Sequence, residues 1–209
     1  MQLERATASV AIDPFLSRCI DWGFGLSAVG WAVRMVVVHP LTLVSGTVAA
    51  LNLAAGLLFL FRKQATAFAS WRDCGLCLGS LVMSGVALKL APAMTAWPLV
   101  AELAFAVAGA AAVGSLVALG PSFGIFPALR GVVQRGPFQL IRHPIYACEM
   151  LMVMACSLAA GTVVGWWPAV VALVFVVVRI RIEERLLRSS EDYAEYSQRV
   201  RWRMLPLVW

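Results

Sequence analysis

Charge is what this sequence has least of. Only 13% of its 209 residues are Asp, Glu, Lys or Arg, against 61% hydrophobic, and its mean hydropathy is +0.84. A soluble domain carries about 25% charge, so that class is excluded. Histidine occurs only at 39 and 143; His39 falls at a predicted membrane edge, so no metal-ligand cluster can be assembled and no metal site is expected. No strand leads into a glycine-rich turn, which excludes the usual soluble cofactor fold, and no Ser/His/Asp set is present. Internal repeats, low-complexity linkers and a second domain are also missing. Without paired halves broken by Gly and Pro, the pattern of a transporter is absent. The first twenty residues hold Glu4, Arg5, Asp13, Pro14 and Arg18 with no apolar stretch, so no cleavable signal peptide is expected.

What is present is a series of long apolar runs, each near the roughly 20 residues that a helix needs to cross hydrocarbon. Spans are predicted at about 41–61, 71–90, 97–119, 145–162 and 166–182. The stretch Trp22 to Val38 is shorter, glycine-rich and carries Arg34. It is expected to lie in the interface, with a sixth span as the alternative. The predicted fold is therefore all-α: one polytopic integral membrane unit over 1–209 with a five-helix core. Residues 1–39 form the N-terminal interfacial or extra helix, 40–119 the first three core spans, and 120–209 a helical region ending outside the bilayer.

Arginine placement sets the orientation. Arg62, Lys63 and Arg72 flank one loop, Arg130, Arg135 and Arg142 occupy the next on that side, and seven arginines lie between Arg179 and Arg203. The alternate loops, Ala91 to Trp97 and Gly161 to Trp167, carry no charge. The charged loops and the C-terminus are expected in the cytoplasm, in a bacterial inner membrane. The formal charge of +6 then reflects topology and anionic headgroups, with membrane lipids as partners and no nucleic acid. Five cysteines lie mostly in predicted spans; Cys74 and Cys77 form a C-x-x-C, but without a thioredoxin-like unit they read as small apolar packing residues. Ala110 and Gly114 have the small-xxx-small spacing of closely packed helices.

Two polar clusters interrupt the apolar pattern. In "RGPFQLIRHPIY", Arg135 to Tyr146, Pro144 suits the first turn of a helix and pushes His143 out of helical geometry, so the fourth span should start there. The N–H groups of that start, with Arg142 and Arg135 beside them, make an anion-attracting site, and Gly136-Pro137 gives a stiff turn. In "RIRIEERLLRSSEDYAEY", Arg179 and Glu183 share a helix face, as do Glu184 and Arg188. Ionisable groups this close to an apolar run are site candidates, against the alternative of a snorkelling, self-paired helix end. A short outer loop joins spans four and five, so the clusters should meet.

"LGPSFGIFPALRGVVQRGPFQLIRHPIY", "RIRIEERLL" and "DYAEYSQRVRWRMLP" resemble, in order and spacing, the isoprenylcysteine carboxyl methyltransferase family and its bacterial relatives, themselves similar to the membrane phospholipid methyltransferases. The resemblance covers roughly the last 90 residues. It implies an integral membrane methyltransferase that takes S-adenosylmethionine, yields S-adenosylhomocysteine, and methylates an amphipathic or lipid-like acceptor, carboxylate O-methylation being favoured. The catalytic, cofactor-binding region would be 120–209. By motif, Arg130, Gly131, Val132, Val133, Phe138, His143, Pro144, Tyr146 and Glu183 would hold the cofactor, and Arg179 would face the acceptor with Arg142 as a second group; an amine or phenol acceptor would also need a base, for which Glu183, Glu184 and Tyr146 are the candidates. Phe138 stands where tyrosine is usual, Pro121 where an arginine often precedes "SFG", and Cys148-Glu149 replaces a commoner Leu-Gly; Glu149 reads either as an acceptor-specific group or as a partner for an arginine. Rival readings are a membrane reductase related to the sterol reductases, which bind NADPH, and a nonenzymatic lipid-binding or transport protein.

Overall fold

The computed structural model describes residues 14–65 and 67–209. Seven α-helices are found among them: α1 Pro14–Val38, α2 Leu43–Phe61, α3 Trp71–Leu90, α4 Leu99–Leu119, α5 Pro144–Ala160, α6 Trp167–Leu187 and α7 Glu191–Arg199. Five helical stretches, Phe15–Val38, Leu43–Phe61, Trp71–Leu90, Leu99–Ser122 and Val163–Leu187, are long and apolar enough to cross a bilayer, and Pro144–Ala160 is a shorter apolar helix. The architecture is that of an all-α integral membrane protein. Local sequence sets the helix ends. Thr42 accepts from the N–H of Ser45 while Ser45 accepts from that of Thr42, a reciprocal cap on α2. Ser70 caps α3 by accepting from Asp73. Gly161 ends α5 in the left-handed region at φ 65°, which a side chain would strain.

α1 departs from expectation. It starts eight residues before Trp22, runs for 25 residues, and packs along α2, where Cβ atoms added at Gly25 or Gly56 would fall 3.0 and 2.9 Å from the opposite glycine's carbonyl oxygen. Its polar Asp21 is buried because it pairs with Arg62, just beyond α2. The expectation about a leader falls largely on residues 1–13, outside the described ones. The close approach of α4 also differs. Gly114 meets nothing and Ala110 is exposed, whereas a Cβ on Gly109 would fall 2.0 Å from Thr47 of α2. The inward stripe is Phe105, Ala108, Ala112, Ser115 and Leu116, which leaves Ala110 and Gly114 on the lipid side.

The helix ends alternate as the arginine pattern requires. At one end Leu43 N–H donates to Glu102 at the start of α4 (3.0 Å). At the other, Lys63 N–H donates to Pro121 O (2.8 Å), and Ala67–Phe68 pairs antiparallel with Ala128–Leu129 as β1 and β2. That clasp folds the 120–143 loop over the start of α5. The main core, which includes Tyr146, Met150, Val153, Ala172, Val176, Ile180 and Met204, is centred on α5 and α6, takes in Val44 of α2, Ala87 of α3 and Phe105 of α4, and receives the C-terminal tail.

Candidate active site

The structure starts α5 at Pro144, with His143 at φ −127°, ψ 60° outside the helix. The Gly136-Pro137 turn is a short 3-10 segment. Around this start lies an open cavity of ≈ 950 Å³, counting the solvent space in its mouth. Arg130, Gly131, Val132, Val133, Phe138, Arg142, His143, Pro144, Tyr146, Arg179 and Glu183 all line it. Glu184 does not. Adjacent helix residues point about 100° apart, so Glu183 faces the cavity while Glu184 turns behind it. The tail claims part of α5's start, since Arg142 N–H donates to Trp202 O (2.9 Å) and His143 N–H to Arg203 O (2.8 Å). Pro144 has no N–H, and the first helical bond is Ala147 N–H to His143 O, so the N–H groups of Ile145 and Tyr146 precede it.

The polar wall is cross-braced. Arg179, 4% exposed, donates through NH2 to Ile125 O (2.7 Å) and through NH1 to Ser80 Oγ on α3 (3.3 Å). Its Nε is 3.7 Å from Glu183 Oε1, and its guanidinium carbon lies 4.7 Å from the Tyr146 ring centroid. Tyr146 O–H donates to Glu183 Oε1. The His143 ring stacks on Tyr146 at 5.6 Å and 15°. One His143 nitrogen, Nδ1, stands 3.9 Å from Glu183 Oε2, and the other, Nε2, 3.4 Å from Glu184 Oε1. Glu184 also takes Arg142 NH1 (2.8 Å), Arg203 Nε (3.0 Å) and, more loosely, Arg188 (3.7 Å). Arg142 is thereby committed to Glu184, to Tyr193 O–H (3.4 Å) and to Arg201 O (3.1 Å).

The rest of the lining supplies shape. Leu119, Phe123, Phe126 and Ile145 form an apolar wall. Gly131 turns the loop at φ 112°, a conformation that glycine adopts readily. Tyr193 and Tyr196 of α7 close the far side, Tyr196 O–H donating to Phe138 O (2.7 Å). Burial, and next the Glu184 charge, push the Tyr193 phenol up to about 12, so it stays a hydrogen-bond donor at neutral pH. Burial, and next Arg62, lower Arg130 to about 10; its Nε donates to Lys63 O (3.2 Å). The tyrosine pair was visible in the sequence. Ser80 and the carbonyl of Ile125 carried no such signal, being set by helix packing and loop path. Glu149 is buried and accepts from Ser84 Oγ (3.0 Å); it does not line the cavity. Cys74, Cys77, Cys148 and Cys156 are buried free thiols.

Residues 94–194 match the phospholipid methyltransferase family. Over 72 residues the chain is 39% identical to the cobalt-zinc-cadmium resistance protein CzcN of Cupriavidus metallidurans, a stretch covering 32% of each protein. The chain thus spans about a third of the length of the curated relative it matches.

Proposed function

We propose that this chain, whose residues 94–194 match the phospholipid methyltransferase family, is a membrane methyltransferase that takes S-adenosylmethionine and methylates an amphipathic, lipid-like acceptor. The observation that carries the reading is the cavity at the start of α5. Its lining combines the polar and aromatic groups of Arg179, Tyr146, Glu183 and His143 with the apolar side chains of Leu119, Phe123, Phe126 and Ile145. Donors, acceptors and rings of this kind fit a cofactor with a charged amino-acid end and an aromatic base. Arg130 to Val133, Phe138, His143, Pro144, Tyr146 and Glu183 would hold it. When bound, S-adenosylmethionine supplies a methyl group activated on a sulfonium.

The protein's own task is alignment, because an in-line displacement gains most from holding both reactants in attack geometry. Arg179 is fixed on three sides and is proposed to orient the polar head of the acceptor by charge-assisted hydrogen bonds. It lies about two turns inside the end of α6, a depth that favours entry from the bilayer with the tail left among the spans. The carboxylates near it are engaged, Glu183 by Tyr146 and Glu184 by Arg142, Arg203 and, more loosely, Arg188. With His143 and Glu183 assigned to the cofactor and Glu184 turned behind the cavity, a carboxylate acceptor, already nucleophilic at neutral pH, is favoured over an ammonium that must first lose a proton. The arginine-rich ends, including the C-terminus, are assigned to the cytoplasm of a bacterial inner membrane.

The test is methyl transfer from labelled S-adenosylmethionine in membranes containing the protein, with lipid extract and soluble pool counted separately. Label in the lipid extract that mild alkali releases as methanol is expected. Alkali-stable lipid label would replace the carboxylate by an amine, and label only in soluble products would refute the lipid-like acceptor.

A further inference from the structure

Glu184 is buried at 3% exposure yet lies outside the cavity lining, so it is poorly placed to meet a reactant. What it meets instead is a convergence of cations. Arg142 NH1 is 2.8 Å from Oε1, and Arg203 Nε is 3.1 Å from Oε1 and 3.0 Å from Oε2. Two guanidinium groups already neutralise one carboxylate, so the His143 contact at 3.4 Å is needed only as a hydrogen bond. A carboxylate accepts and does not donate. The hydrogen of that bond therefore sits on Nε2, and Nδ1 is left with its lone pair on the other edge of the ring.

That edge faces the cavity side. His143 Nδ1 and Glu183 Oε2 stand 3.9 Å apart, too far for a direct hydrogen bond and close enough for one donor group to reach both. Glu183 Oε1 is occupied by Tyr146 O–H, which leaves Oε2 for such a donor. The ring cannot turn freely, because it is stacked on Tyr146 and the residue that carries it is anchored by its backbone, the His143 amide N–H donating to Arg203 O at 2.8 Å.

We infer that Glu184 and Arg203 are positioning residues that fix His143 as the Nε2–H tautomer, so that His143 Nδ1 and Glu183 together receive a hydrogen-bond-donating group, an ammonium or a hydroxyl, of the bound cofactor. The inference rests on the proposed cofactor reading for the identity of the donor, but its tautomer claim stands without any ligand. The tail 200–204 thereby acts on the cavity from behind, through Glu184 and through the carbonyl oxygens of Trp202 and Arg203. The second-partner logic is that of ligand histidines, whose far nitrogen decides which nitrogen acts.

With only two histidines in the chain, nitrogen NMR of imidazole-labelled protein in nanodiscs reads His143 after one His39→Gln control. The wild type is expected to show Nε2–H, and Glu184→Gln a mixed tautomer signal with roughly tenfold weaker S-adenosylhomocysteine binding. Arg203→Gln, which leaves Glu184 in place and changes a partly exposed side chain, should shift both readouts in the same direction by less, and it keeps the test open if Glu184→Gln fails to fold. An Nδ1–H or doubly protonated His143 in the wild type would overturn the inference. So would a folded Glu184→Gln protein that keeps both tautomer and affinity. Failure of the wild type to bind S-adenosylhomocysteine while showing Nε2–H would instead overturn the cofactor reading and the identity of the donor, leaving the tautomer assignment supported.

Discussion

The guanidinium of Arg179 on α6 lies over the ring of Tyr146 on α5, 4.7 Å from carbon to centroid. The contact joins two sequence clusters, R-H-P-x-Y and R-x-x-x-E-E, that are 33 residues apart when counted from 146 to 179. In a desolvated setting a cation over an aromatic face is worth about 2 kcal/mol. Glu183 completes the triangle by accepting from Tyr146 and facing Arg179 Nε, so each member holds the other two in place.

Arg179→Lys keeps the charge and loses the fork that reaches Ser80 and Ile125 O together. A hydrogen bond from a charged group contributes about 1.5–3 kcal/mol, so turnover should fall on the order of 10- to 100-fold while S-adenosylhomocysteine affinity changes much less. Steady-state methyl transfer beside calorimetry separates the two, and unchanged turnover would remove Arg179 from the acceptor side.

Tyr146→Phe keeps the ring beneath Arg179 and deletes only the donation to Glu183. Binding of S-adenosylhomocysteine should weaken by about tenfold, the equivalent of about 1.4 kcal/mol, with the thermal unfolding temperature nearly unchanged.

Asp21→Ala leaves Arg62 buried without its counter-charge, when its Nε and NH1 already have no hydrogen-bond partner. Breaking a buried pair by removing one partner costs about 3–5 kcal/mol, whereas replacing both by apolar groups is often neutral. Asp21→Ala should therefore unfold well below the wild type in detergent, and Asp21→Ala combined with Arg62→Met should recover most of the loss.

Orientation is checked with Ser190→Cys and Val163→Cys, each in a Cys19→Ser background, since the other native cysteines are buried. An impermeant thiol reagent applied to intact cells should label position 163, which is highly exposed, and reach position 190 only after permeabilisation. The reverse pattern would invert the topology.

Much of this was legible in the sequence, for local reasons. Pro144 announces the start of α5 because its ring fixes helical φ and displaces the residue before it. The Arg179–Glu183 and Glu184–Arg188 contacts follow from helical spacing. Burial of Asp21 was not legible, because the partner that makes it tolerable lies 41 residues away. The inward register of α4 was missed by one position, since small residues on both faces of "AFAVAGAAAVGS" give a pattern without a side. The tail's grip on Arg142 and His143 runs through backbone carbonyls, which no residue type advertises. The division of labour between Glu183 and Glu184 could have been read, because neighbours on a helix do not share a face.

The most direct test of the account is titration of the folded protein in nanodiscs with S-adenosylhomocysteine and, in parallel, with NADPH. One S-adenosylhomocysteine per chain, no NADPH, and affinity reduced about tenfold or more in His143→Ala and in Glu183→Ala is the predicted result. Folded wild-type protein that binds no S-adenosylhomocysteine, or binds NADPH in its place, would contradict it.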